Sequence, residues 1–333
     1  MKPLVDLTVD QALAAADQVF EDQQNAGGVR AYLGMSGGGK CPRSQWFSWL
    51  WADDVHISAK GWKAIQDGFT SEDVAAERLQ AVPDLLLQTV DHETGRQFAL
   101  EDAGGHIRGH MDGVIFHHPA APRTPHVFEH KAVNERKFKK FQKLKADVGE
   151  KATLRAWDEN FYAQCQLYLL HGGYTRHWTV VSTAGCRDWD SCRTEFNRDD
   201  AEFYANRMKR IVETVGEVPE RVSESPNAFA CRWCDYSQVC HEGKAPKRNC
   251  RTCQYSKPVT GPDWRCSKFD ELLTLDKQKV GCEAHRFRGA HIPGHPTTSE
   301  TNDPAYRLPN GELWVDRGVN HDTDREGIRH RSE

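Results

Sequence analysis

The chain has 333 residues, 38% hydrophobic and 28% charged, with 10 Trp, 14 Phe and 8 Tyr available for a core and a formal net charge of −4. This length allows one large domain with a smaller companion, and no run of about 18 apolar residues offers a membrane span. The mild acidity excludes a global electrostatic pull on nucleic acid, so any such affinity must come from local basic patches. The opening stretch, "MKPLVDLTVDQALAAADQVF", is amphipathic and carries acidic residues, unlike a signal peptide. A cytoplasmic protein is therefore expected, with its 11 cysteines reduced. Clustered thiols in that compartment point to metal rather than to disulfides.

Residues 1–33 predict a helix and a loop. The next stretch, "GMSGGGKCPR" from Gly34 to Arg43, has the glycine and lysine spacing of a phosphate-binding loop. That loop needs Ser or Thr after Lys40 to ligate magnesium. Cys41 stands there instead, and its sulfur suits zinc or iron. Neither a strong buried strand before it nor an acidic partner strand accompanies the loop, which disfavours an ATP-driven motor. Pro42 then opens a tryptophan-rich buried helix, "SQWFSWLWA". Residues 71–90 read as a helix starting at Ser71 and interrupted at Pro83. "HIRGHMDGVIFHH" and "HVFEHKAV" are β-rich and joined by the turn-like "PAAPRTP", which predicts a hairpin. A basic helix over 136–147, a helix near 158–171, a strand at "HWTVVST" and a helix near 198–215 complete a mixed α/β pattern. Beyond Pro226 the sequence is rich in cysteine and loops up to about 285. The polar remainder shows no periodicity and is expected to be loosely ordered. Three successive segments follow: 1–245, 246–290 and 291–333.

Asp112 falls at the end of the first hairpin strand, and Glu129-His130-Lys131 lie on the second. Residues two apart on a strand share a face, so Glu129 and Lys131 emerge together while His130 faces away. Paired carboxylates are hard oxygen ligands for Mg²⁺ or Mn²⁺. A lysine beside them can orient water or stabilise charge developing on a phosphate. Gln164 and Tyr168, four apart on one helix, can reach a scissile phosphate or a neighbouring base, although such a pair is also ordinary in an amphipathic helix. "RKFKKFQKLK" places Arg136, Lys137, Lys139, Lys140, Lys143 and Lys145 around an apolar stripe of Phe138, Phe141 and Leu144. It reads both as a solvated helix face and as a contact for the phosphate backbone of DNA.

The cysteines form two sets. Cys231-x2-Cys234-x5-Cys240 supplies three thiolates, whereas iron–sulfur clusters generally take four. Zinc on the same thiolates, with His241 as a possible ligand, is the alternative. The second set is Cys250-x2-Cys253, Cys266 and Cys282-x2-His285, a pattern of tetrahedral structural zinc. The four cysteines are preferred as ligands, with His285 as the substitute. Cys165, Cys186 and Cys192 have no partner at metal spacing and read as ordinary small residues.

Taken in order, "GHMDG", "FEHK" and "QCQLY" resemble the PD-(D/E)xK nuclease superfamily, in particular its RecB-like branch. "KCPR" and "CRWCDYSQVC" are similar to the iron–sulfur members of that branch, with phage and prophage exonucleases nearest in pattern. The resemblance covers roughly residues 40–245 and implies a restriction-endonuclease-like mixed sheet flanked by helices, followed by a cysteine-rich metal-binding segment. It also implies a DNA exonuclease of phage recombination or DNA processing, located in the host cytoplasm and partnered by a single-strand annealing or recombinase protein. Asp112 and Glu129 then correspond to metal-binding carboxylates, Lys131 to the catalytic lysine, and Gln164 and Tyr168 to the Q-x-x-x-Y motif. Cys41 becomes the fourth ligand of a [4Fe–4S] cluster that clamps the chain, by analogy with loop closure constraining the unfolded state by about 5 kcal/mol. An upstream "GHxxE" segment of the family corresponds to "GFTSE": Phe69 replaces the histidine and Glu72 is kept, with Glu77 as a further carboxylate. The rival expectation is a DNA-binding scaffold with a degenerate site, to which Phe69 is the pointer.

Overall fold

The structure, a computed structural model, describes residues 8–292, 294–301, 303–308 and 311–318. In chain order its elements begin with α1 (Val9–Asn25), β1 (Leu33–Gly34), α2 (Pro42–Trp49), α3 (Ala59–Gln80), β2 (Leu86–Gln88), β3 (Ala99–Asp102), β4 (Ile107–His110), β5 (Gly113–Phe116) and β6 (His126–Ala132). There follow α4 (Glu135–Val148), α5 (Glu150–Trp157), α6 (Glu159–Gly172), β7 (Arg176–Ser182), β8 (Trp189–Glu195) and α7 (Arg198–Glu213). The remainder holds α8 (Phe229–Arg232), α9 (Ser237–His241), β9 (Ser256–Pro258), β10 (Trp264–Cys266), β11 (Glu271–Leu273), α10 (Leu275–Lys279), β12 (His295–Thr297), β13 (Ala305–Arg307) and β14 (Leu313–Val315). The chain divides into two compact units that are discontinuous in sequence. One comprises 1–29, 55–100 and 110–198, the other 30–54, 101–109 and 199–333.

The first unit is built on a five-stranded mixed sheet in the order β2-β5-β6-β7-β8, with β6 and β7 parallel and the other neighbours antiparallel. Central β6 is buried along His126–His130, as expected of a strand covered on both faces. One face of the sheet meets α3: Ala76 and Leu79 join Leu87, Ile115, Phe128 and Val180 in one apolar cluster. The opposite face of β6 carries Glu129, which is bonded to Gln164 on α6. The sheet is thus flanked by helices on both sides, the mixed α/β architecture expected.

Several elements differ from the sequence reading. The helix expected from Ser71 begins at Ala59, where the Ser58 side chain accepts the Gly61 N–H; Ser71 is interior and fully buried. Its predicted continuation past Pro83 is instead β2. "HIRGHMDGVIFHH" is two strands, since β4 pairs with β1 while β5 pairs with β2 and β6. Asp112 therefore precedes β5 and does not end a strand. Gly149, with φ +80°, ends α4 and starts α5, a helix the sequence reading omitted. It also omitted β8, an edge strand whose buried positions are the small Cys192 and Thr194.

In the second unit β9-β10-β11 and β12-β13-β14 are antiparallel three-stranded sheets. The glycine stretch after β1 forms a 3-10 turn, Met35–Gly37, ahead of α2, and Gly38 O accepts from Arg207. Pro42 is at the first turn of α2, and Trp46 and Trp49 are buried as expected. The loosely ordered tail expected over 291–333 is corrected in its described part. Ile292, Tyr306, Leu308 and Trp314 pack with Phe287 and Ala245. The fully buried Asp316 accepts from Arg248 at 2.8 Å and from Phe287 N at 2.6 Å. So few inward-facing residues per short strand leave the sequence looking uniformly polar. Residues 319–333 lie outside the described residues.

Histidines are unusually well buried in the first unit. The rings of His118 and His126 stack at 4.4 Å, with Trp178 edge-on to His118 at 5.0 Å. Burial, then His126 and Arg193, lowers His118 to about 4, and burial, then Lys131 and His126, lowers His177 to about 3. An unfolded histidine titrates near 6.5, so below that pH the unfolded chain binds more protons. Their contribution to stability is full above pH 6.5 and falls as the pH drops through 4. Imidazole titration by NMR should find both rings neutral at pH 5, and ordinary midpoints near 6.5 would contradict the packing.

Candidate active site

Asp112 is placed by its neighbours on both sides. Met111 N–H bonds to Phe98 O at 3.0 Å, and a side chain at Gly113 would bring its Cβ within 2.6 Å of Gln88 O. Glycine there lets β2 run close to β5 immediately after the aspartate. Asp112 Oδ2 accepts the His130 backbone N–H at 2.8 Å, which sets the carboxylate against the middle of β6. On the same strand Glu129 and Lys131 share a face, as expected, and Lys131 Nζ donates to Glu129 Oε1. Gln164 Nε2 donates to the same oxygen at 2.8 Å and to Tyr168 OH at 2.9 Å. Glu129 Oε2 is buried and has no partner among the described residues. Phe161 lies under Lys131 Nζ at 5.2 Å from the ring centre.

Behind the strand, residues that sequence reasoning passed over hold the site in register. His130 Nε2 pairs with Ser182 Oγ at 2.9 Å. Cys186 Sγ donates to Ser71 O at 3.0 Å, and Gly185 N–H donates to Ser71 Oγ at 3.0 Å. Ser71 is the residue before Glu72, so these bonds fix the turn of α3 that carries Glu72. No spacing rule flags such a ladder, because its members meet partners far away in sequence.

The carboxylates repel one another. Burial, then Asp112, pushes Glu72 up to about 7, against the pull of Lys131. Burial, then Asp112, pushes Glu129 up to about 8, with Lys131 again opposing. Asp112 is raised by burial against Lys131 and the His130 amide. Burial opposes the charge on Lys131, but Glu129 and Asp112 outweigh it and hold its pKa above the ordinary value. One cation is set against three carboxylates, and an orphaned oxygen lies among them. Glu72, Asp112 and Glu129 thus fit a hard divalent cation by charge and donor type. Among the described residues, no three His, Cys, Asp or Glu side chains are already gathered to hold an ion.

The other candidates fall as follows. Gln164 and Tyr168 are only 4% and 3% exposed, so they position Glu129 and do not face an open phosphate. Burial, then Glu129, raises the Tyr168 phenol well above its usual value. Phe69 is 65% exposed, and Glu77 is exposed on α3, whereas Glu72 is the carboxylate that feels Asp112. On α4, Lys137 is paired with Asp158 at 2.8 Å and Lys145 with Asp190 at 2.6 Å. Lys139 is 3.9 Å from Glu135 on the surface. Arg136, Lys140 and Lys143 share an exposed face, while Phe138 and Phe141 are buried.

Cys41, Cys231, Cys234 and Cys240 line one cavity, together with His241. His241 Nδ1 is engaged by Arg221 at 3.2 Å. Burial, and also Cys41, raises the Cys234 thiol. Cys250, Cys253, Cys266 and Cys282 line a second cavity with His285. Cys165, Cys186 and Cys192 are buried in the first unit.

No protein-family model matches the chain, and no curated protein matches it. Solved structures that match include an alkaline exonuclease, LHK-Exo, from Laribacter hongkongensis, at 11% identity and a TM-score of 0.39 over 58% of this chain and 92% of that one. The same exonuclease in complex with dAMP matches at 12% identity and 0.38 over 60% and 92%. SSO0001 matches at 13% identity and 0.40 over 70% and 96%. Among the described residues no helix is long and apolar enough to cross a membrane.

Ser71→Ala should lower the unfolding free energy by about 0.5–1.5 kcal/mol, the net worth of one hydrogen bond, because the Gly185 N–H loses its side-chain acceptor. Urea denaturation measures it, and an unchanged midpoint would show that this bond does not anchor α3.

Proposed function

We propose that the chain is a Mg²⁺- or Mn²⁺-dependent deoxyribonuclease, an exonuclease in preference to an endonuclease. The observation that carries this reading is Glu129: one oxygen is fixed by Lys131 and Gln164, and the other is buried without a partner beside Asp112. Glu72, Asp112 and Glu129 would hold the ion, which supplies charge stabilisation at the phosphodiester when bound. Gln164 sets the rotamer of Glu129, and Tyr168 sets Gln164. Lys131, protonated, orients the attacking water or donates to a phosphate oxygen, and offsets charge as the water oxygen joins phosphorus and its proton passes to solvent. The phosphorus–ester oxygen bond breaks, and the leaving oxygen takes up a proton from solvent. The exonuclease preference, and a role in phage recombination or DNA processing beside an annealing partner, rest on the motif resemblance alone.

The same proposal gives Cys41, Cys231, Cys234 and Cys240 to a [4Fe–4S] cluster. Support comes from four thiols, one of them distant in sequence, lining a single cavity. Anaerobically purified protein should be brown, and Cys41→Ser should lose the colour. Zinc in place of iron in the native protein would contradict the cluster.

Asp112→Ala and Glu129→Ala should each abolish cleavage of end-labelled DNA while binding persists, since binding rests on many distributed phosphate interactions. Cleavage by Asp112→Ala at the native rate would remove the site assignment. Binding without cleavage by the native chain would favour the DNA-binding scaffold instead.

Neutralising Arg136, Lys140 and Lys143 together should flatten the slope of log K against log salt by about 0.9 for each phosphate that no longer meets a cation. Neutralising Lys137 and Lys145 should leave the slope alone, because both already face carboxylates. An unchanged slope on neutralising Arg136, Lys140 and Lys143 would show that the exposed face does not meet the DNA backbone.

A further inference from the structure

Two buried arginines lie close to the second cysteine set, and among the described residues neither has a carboxylate partner. Arg288 is 7% exposed and donates to Ser256 O. Arg251, set between Cys250 and Cys253, is fully buried. It donates to Trp49 O and Ala31 O, each at 2.9 Å, and to Gln278 Oε1 at 3.0 Å, with its guanidinium 3.7 Å from the Trp51 ring centre. A buried cation without an anion is costly. Arg288 is seated beside the thiol set, its N–H bonding to Thr252 O, one residue before Cys253, at 3.3 Å.

We propose that Cys250, Cys253, Cys266 and Cys282 hold one zinc ion as a closed tetrathiolate. Its net negative charge balances Arg288, and its Cys250–Cys253 turn fixes Arg251 as the tether of residues 30–54. These four thiols come from the 3-10 turn at Cys250–Thr252, its next residue, the end of β10 and the loop after α10, and they wall one cavity. On binding the ion each thiol gives up its proton to solvent.

His285 is excluded from the ligand set by its own bonds. Arg248 Nη1 donates to its Nδ1 at 3.1 Å, and Nε2 faces Thr252 Oγ1 at 3.3 Å. The Cys250 thiol is turned toward Lys277 O at 3.2 Å and Val280 O at 3.4 Å. This accounts for the four sulfurs lining the cavity without closing on one point, and zinc would draw Cys250 inward.

The tether follows from the same turn. Asn249, one residue before Cys250, donates to Leu50 O at 3.2 Å and Trp51 O at 3.0 Å. Together Asn249 and Arg251 satisfy the carbonyls of Trp49, Leu50 and Trp51 at the end of α2 and just past it. Removing the zinc should therefore loosen residues 30–54 as well as the cysteine-rich loops.

The test uses the full chain carrying Cys231→Ser, which removes the other thiol set from the count. Elemental analysis should give one zinc per chain, and Co²⁺ substitution should give strong thiolate-to-cobalt absorption. His285→Gln should keep both the zinc and the cobalt spectrum. Arg288→Met should keep zinc but weaken it about 10–100-fold in chelator competition, as for other groups that support metal ligands. Arg251→Met should keep zinc and lower the melting temperature, whereas exposed Arg265→Met should not. Cys266→Ser should lose the zinc; should it fail to fold, the cobalt spectrum of the parent still decides the thiolate question. Absence of thiolate charge-transfer absorption, iron in place of zinc, or a cobalt spectrum altered in His285→Gln would each overturn the assignment. Native zinc affinity in Arg288→Met would overturn the charge-balance argument. None of these outcomes depends on whether the chain cleaves DNA.

Discussion

The pair formed by Glu129 and Lys131 on the central strand is the constraint from which the rest of the first unit follows. A carboxylate and an ammonium taken out of water cost several kcal/mol each unless their remaining hydrogen-bonding capacity is met. The structure meets most of it. Lys131 and Gln164 saturate one oxygen of Glu129, and Phe161 lies beneath the ammonium. The other oxygen is left over. With Asp112 and Glu72 nearby, that remainder makes the cluster repulsive by itself and receptive to a dication.

Holding three like charges together requires a rigid frame, and the frame lies on the opposite face of the same strand. His130, Ser182, Cys186, Gly185 and Ser71 form a chain of bonds from β6 through the loop after β7 to α3. The alternation of β6 therefore divides the labour: odd residues present chemistry, and even residues bind the sheet to the helix that delivers Glu72. Phe128, on the even face, joins the apolar cluster that seats α3.

Much of this was legible in the sequence, for a physical reason. The period of two in "FEHK" fixes which residues share a face, and the i, i+4 spacing of Gln164 and Tyr168 survives in any helix. What the sequence hid was orientation. Nothing in Q-x-x-x-Y says that both side chains point inward to Glu129, or that Lys137 and Lys145 turn to Asp158 and Asp190 while Arg136, Lys140 and Lys143 stay in solvent. Ser71 looked like a helix start because serine caps helices so often; Ser58 takes that role, and Gly61 and Gly68 do not stop α3. β8 and the β12–β14 sheet escaped notice because none of these strands buries more than two residues.

The cysteines that spacing divides into two sets line two cavities, and Cys41 joined its set through a motif and not through spacing. Arg251 and Arg288 carried no sequence signal at all, since a buried arginine looks like a surface one until its surroundings are known. The central claim is that the crowded carboxylates serve divalent-metal phosphodiester hydrolysis. Its most direct test is to incubate the native chain with end-labelled linear DNA and with closed circular DNA, in Mg²⁺, in Mn²⁺ and in chelator. The account predicts that linear DNA is degraded only when metal is present and that the circle is spared. Intact linear DNA in both metals, or equal cleavage in chelator, would contradict it.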